Sequence, residues 1–160
     1  MDVLRTVLVV IHASSGVGGL VTGLAALSPP RPADNRGWLR RLYLLCLVIL
    51  LGSLVALVAI DWNGLDTGSR VAFSALTALG AVMAYRIARA HRLASTQEAN
   101  WQERYIGHVY FTYISLWEGF VILPALNLPL PQVSVPVVAI AVLLIGHALI
   151  ARYKRRILAG

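Results

Sequence analysis

The sequence predicts an all-α integral membrane protein: one domain, residues 1–160, built as a bundle of five transmembrane helices. Two bulk observations and one pattern carry this expectation. Hydrophobic residues make up 58% of the chain and charged residues only 13%, whereas a soluble domain carries about one quarter charged residues. Mean hydropathy is +0.73. The pattern is five apolar runs, each close to the roughly 20 residues that a spanning helix needs. These runs are too long for barrel strands and lack strict alternation.

The five expected spans are Val3–Leu27, Leu42–Ile60, Val71–Ala90, Ile106–Leu126 and Val133–Ala151. The first ends where "SPPRPADNRG" (Ser28–Gly37) brings prolines and polar residues. A cleaved signal peptide competes for this run, because "GLAALS" offers small residues. Its length, its "MDVLR" start, His12 and its glycines favour a retained helix. "DWNGLDTG" (Asp61–Gly68) supplies a short turn between the second and third spans. "HRLASTQEANWQER" (His91–Arg104) reads as a longer polar link with some helical content, and "NLPLPQVSVP" (Asn127–Pro136) as an extended connection. The single cysteine, Cys46, lies in an apolar run and permits no disulfide within the chain.

Orientation follows from the basic residues. Twelve of the fourteen fall in the first link, the region around the third link, and the tail "RYKRR". Arg5 and Arg70 alone belong to the opposite side. Five spans then place the N-terminus outside and the C-terminus in the cytoplasm, in a membrane of the bacterial inner-membrane type. The formal net charge of +7 does not point to nucleic acid, because the basic residues are scattered between apolar runs. The lipid bilayer is the expected partner, with a homo-oligomer or a larger membrane complex as a further expectation from the glycine-lined helix faces.

Polar residues inside the apolar runs are the candidate site. At 3.6 residues per turn, His12, Ser15, Gly16, Gly19, Thr22 and Gly23 form one stripe of the first helix. Gly19 and Gly23 have the small-xxx-small spacing that lets helices approach closely. The fourth span is expected to carry a matching stripe of His108, Thr112, Ser115, Glu118 and Gly119. A charge at the bilayer centre costs about 2.5–3.5 kcal/mol on insertion scales. A histidine partner or protonation of the carboxyl lowers that cost. Similar depth and opposite helix directions therefore suggest that His12 and Glu118 meet inside the bundle. The competing reading is that these groups only hydrogen-bond helices together.

His108 and His147 stand at depths that would allow them to ligate a b-type haem between facing helices, although no wider signature accompanies them. No cofactor is otherwise expected. The sequence has no phosphate-cradling glycine loop, no His-Glu-x-x-His and no supportable Ser/His/Asp set. "RYKRR" reads as a snorkelling anchor.

Two stretches carry a family likeness. "IHASSGVGGLVTGLAALSPPRPADNRGWLRRLYLL" resembles the opening of the bacterial predicted-membrane-protein family catalogued as domain of unknown function 2306, and "YIGHVYFTYISLWEGFVI" resembles a later segment in its relatives. The likeness covers about a third of the chain. It implies a similar helix layout, singles out His12, Gly16, Gly23, His108, Tyr113 and Ile114, and brings no activity with it. Trp38-Leu39-Arg40-Arg41 stands where such proteins often carry a histidine.

Three functional classes follow. One is a proton- or small-ligand-binding or transport protein using His12 and Glu118, with Ser15, Ser115 and Thr112 around them. Another is an accessory or assembly subunit of a larger membrane complex. The last is a haem-bearing redox subunit. The sequence does not decide whether the protein is an enzyme.

Overall fold

The structure, a computed structural model, describes residues 2–30, 37–125 and 130–158. They form five helices: α1 (Asp2–Ala26), α2 (Gly37–Asp61), α3 (Thr67–Thr96), α4 (Trp101–Ala125) and α5 (Pro131–Leu158). There is no strand among the described residues. α2, α3 and α5 outrun their expected apolar cores at both ends and α4 at its start, because the polar residues there continue the same backbone hydrogen bonding, while α1 keeps nearly its expected bounds.

Two connections differ from expectation. The link His91–Arg104 shrinks to a tight turn between Thr96 and Trp101. Gln97 (φ 49°) and Asn100 (φ 57°) bend the chain there through left-handed conformations. The Asn127–Pro136 connection is helical from Pro131 onward. Proline suits the first helical position, where its missing N–H would have no partner anyway. Pro136 stays inside the helix and leaves one first-turn carbonyl without its usual donor. Most of the Ser28–Gly37 link lies outside the described residues.

Neighbouring helices run antiparallel. α1 lies along α2, and Arg5 pairs with Asp61 (2.9 Å) at one end of that contact. α4 is the hub. It packs against α1, α3 and α5, while α5 has its main contact with α4 alone. The core centres on Tyr43 and Leu47 of α2, Met83, Ile87 and Ala90 of α3, and Tyr105, Ile106, Val109 and Leu116 of α4. Large apolar side chains such as Val21, Val48, Val71, Ile140 and Leu144 face outward. An apolar exterior of this kind needs lipid or protein against it.

Four of the five helices, α1, α2, α3 and α5, are long and apolar enough to cross a membrane. These helices make the chain a membrane protein. α4 falls outside that set, although it was expected to span over Ile106–Leu126. Glu103, Arg104, His108 and Glu118 dilute its apolar content. A central helix tolerates such residues because neighbouring helices surround most of it.

The helix ends sort by charge. Arg5, Asp61, Asp66 and Arg70 gather at one end, where the Arg70 guanidinium lies 5.5 Å from the centre of the Trp62 ring. The other end holds Arg40, Glu98, Glu103, Arg104 and Lys154, joined by the Arg104–Glu98 and Lys154–Glu103 ion pairs, both 3.2 Å.

Candidate functional site

His12 is a fastener between α1 and α2. Its Nδ1 lies 3.1 Å from the Leu50 carbonyl oxygen and 3.1 Å from Ser53 Oγ. A carbonyl can only accept, so Nδ1 carries the hydrogen. Ser53 Oγ spends its own hydrogen on the Leu50 carbonyl (2.9 Å) and receives the imidazole N–H. Ser15 donates to the Ile11 carbonyl one turn back (2.6 Å), and Thr22 to that of Gly18 (2.7 Å). The glycine stripe seats side chains from two helices. A Cβ at Gly16 would lie 3.3 Å from Leu50, and one at Gly19 would lie 3.2 Å from Leu116.

The expected stripe on α4 does not hold together. Steps of three residues turn about 300°, so each drifts about 60° around the axis. From Thr112 through Ser115 to Glu118 the drift reaches about 120°. Thr112 is fully buried against α2, with its Oγ1 2.7 Å from the Tyr43 hydroxyl. Ser115 is also buried. Glu118 instead shares the strip of α4 that carries Phe111 and Ile114. Phe111 lies under the Arg86 guanidinium of α3 at 4.1 Å, and Ile114 packs on Gly146 of α5. Glu118 thus stands half-buried on the side of α4 that faces α3 and α5.

His12 and Glu118 accordingly form no ion pair. α1 touches the other side of α4, with Gly19 opposite Leu116 and Gly23 opposite Tyr113. Extending that antiparallel register puts His12 level with the last turn of α4. It lies about 8 Å along the axis from the level of Glu118, at 1.5 Å per residue. No described residue hydrogen-bonds to Glu118.

The two histidines considered for haem sit in different surroundings. His108 lines a cavity at the arginine-rich end together with Arg86, Arg104 and Lys154. His147 is exposed on α5 and is not among the cavity's lining residues. The described residues include no group of three or more His, Cys, Asp or Glu side chains placed to hold a metal ion.

Sequence reasoning missed the Tyr43–Thr112 pair and the Arg86–Phe111 stack. A lone tyrosine in the aliphatic run of α2 was the available signal for the first. The second had none, because it depends on how α3 is rotated against α4. The positions singled out by the family likeness are largely packing contacts: Gly16 under Leu50, Gly23 under Tyr43 and Tyr113, and Ile114 on Gly146. No family model, curated protein or solved structure matches the chain.

Proposed function

We propose that this chain is a five-span membrane protein, N-terminus outside and C-terminus cytoplasmic, that binds a proton or small polar ligand at Glu118. One observation carries the reading. Five acidic side chains are described with their surroundings, and four have partners. Asp61 pairs with Arg5, Glu98 with Arg104, and Glu103 with Lys154. Asp66 caps α3 through Ser69. Only Glu118 has no hydrogen-bonding or ionic partner among the described residues, and it sits mid-helix between apolar neighbours. An ionisable group so placed marks a functional position by default. Taking up a proton, or binding a cation or hydrogen-bond donor, removes the cost of its isolated charge. The orientation is supported by the arginine-rich end, which the positive-inside rule assigns to the cytoplasm. His12 takes no part in the proposed site and serves as an interhelical hydrogen bond.

Dicyclohexylcarbodiimide, which modifies protonated carboxyls in apolar surroundings, provides the test. The purified full chain in detergent micelles is expected to acquire the adduct at Glu118, with yield falling as pH rises. Glu118→Gln should lose it while keeping its helical content and elution volume. Labelling confined to Glu98 and Glu103, with Glu118 unmodified across the pH range, would overturn the proposal.

A further inference from the structure

A second site lies at the other end of α4, independent of Glu118. A cavity of about 400 Å³ opens where the ends of α3 and α5 meet the start of α4. Its walls carry Arg86, Asn100, Glu103, Arg104, His108 and Lys154. Three permanent cations thus face one carboxylate.

The pairing within this wall is uneven. Lys154 is held by Glu103, and Arg104 by Glu98 from outside the cavity. Arg86 has no carboxylate partner among the described residues. Its guanidinium lies over the Phe111 ring at 4.1 Å, and no hydrogen bond from it is made to the described residues. His108 Nδ1 is buried and has no hydrogen-bond partner. The first turn of α4 adds the positive end of its helix dipole. Gly107 lies beside the cavity, where even a Cβ would come within 3.8 Å of Lys154 Nζ. Its missing side chain keeps that wall open.

These features point to an oxyanion. A guanidinium edge and an ammonium at one place match phosphate oxygens, and guanidinium groups bind phosphate in a bidentate fork. The volume suits a small ligand or headgroup. We propose that this cavity binds a phosphate-bearing anion, either the headgroup of an anionic phospholipid or a free phosphate. Arg86 is the principal donor. Basic pockets between spanning helices on the cytoplasmic side are suited to anionic headgroups.

The experiment uses the purified full chain in neutral detergent and measures bound adducts by native mass spectrometry. Phosphatidylglycerol, phosphatidylcholine and inorganic phosphate are added separately. Retention of phosphatidylglycerol over phosphatidylcholine assigns the site to a lipid headgroup. Binding of inorganic phosphate with no such lipid preference assigns it to a soluble anion. Arg86→Gln removes a charge-assisted donor and should weaken whichever binds by about tenfold or more. Gly107→Leu should block the cavity with no change of charge, which separates a built site from diffuse attraction. Arg156→Ala, a basic change outside the cavity, should bind as the wild type does. Circular dichroism and elution volume confirm that each variant is folded. The proposal fails if neither anion is retained. It fails equally if Gly107→Leu binds normally, or if Arg156→Ala weakens binding as much as Arg86→Gln.

Discussion

Gly23→Ala adds one methyl group at the most crowded point of the α1 interface. A Cβ there would lie 2.6 Å from Tyr113 Cδ2 and 3.0 Å from Tyr43 Cε2. Neither ring moves freely. Tyr43 is completely buried and tied to Thr112 by a 2.7 Å hydrogen bond, while Tyr113 is half-buried in α4. Overpacking of this kind costs about 1–3 kcal/mol, and two aromatic neighbours argue for the upper end. Alanine returns up to about 1 kcal/mol of helix propensity relative to glycine. The expected net loss is therefore about 2 kcal/mol, or roughly 4–8 °C in Tm for a chain of this size. Gly52→Ala is the matched control, because nothing lies within 4 Å of a Cβ at that position. It keeps the propensity gain without the clash and should be neutral or slightly stabilising. Thermal unfolding of both variants in the same detergent, followed by circular dichroism, makes the comparison. If Gly23→Ala melts at or above Gly52→Ala, the close approach of α1 to the two rings is wrong.

Two further outcomes follow from hydrogen-bond direction and charge. Thr112 donates its hydrogen to the Val109 carbonyl (2.8 Å), so Tyr43 must donate to Thr112 Oγ1. Thr112→Val then orphans a buried O–H and should cost about 1–3 kcal/mol, against about 0.5–1.5 for Tyr43→Phe. Equal losses in thermal unfolding would contradict this assignment of the proton. At the α2–α3 turn, hydrogen bonds from the Ser69 hydroxyl and backbone N–H hold the Asp66 carboxyl below the usual aspartate range. A depressed folded-state pKa gives stability that is present above the unfolded value and lost as pH falls through the folded one. Protection of the Ser69–Val71 amides, taken relative to the intrinsic exchange rate at each pH, should therefore fall as the solution is acidified, and Asp66→Ala should remove that pH dependence of protection.

Much of the fold could be read from the order of apolar runs, because a bilayer leaves the chain few choices. Every backbone group in hydrocarbon must be satisfied internally, so a long apolar run becomes a helix. Helix ends were less legible. Stretches such as Gly37–Arg41 and His91–Thr96 mix polar with apolar residues, yet they continue a helix already nucleated by the apolar run beside them. The candidate site was least legible, for a geometric reason. Sequence gives each residue's angle on its own helix but not the rotation of that helix against its neighbours. His12 was rightly placed on a helix-facing stripe, but the neighbour it meets is α2. Thr112 and Glu118 looked like one stripe only because a drift of about 60° per step is small until it accumulates.

The central position of α4 explains why its polar residues matter more than those of the other helices. A helix at the edge can turn polar groups toward headgroups or water. One surrounded by three helices must match each polar group to a partner or leave it unmatched. Several are matched, and to different neighbours. The Tyr105 hydroxyl donates to the Ala26 carbonyl of α1 (2.9 Å), Thr112 meets Tyr43 of α2, and Glu103 meets Lys154 of α5. Glu118 and His108 Nδ1 have no such partner among the described residues. They lie ten residues apart, about 15 Å along the helix at 1.5 Å per residue. That distance is too great for one ligand to serve both as a shared first contact. It also exceeds the range of roughly 7–10 Å beyond which substitutions act independently. The carboxylate and the basic cavity are therefore two separate sites, and loss of either in experiment leaves the other standing.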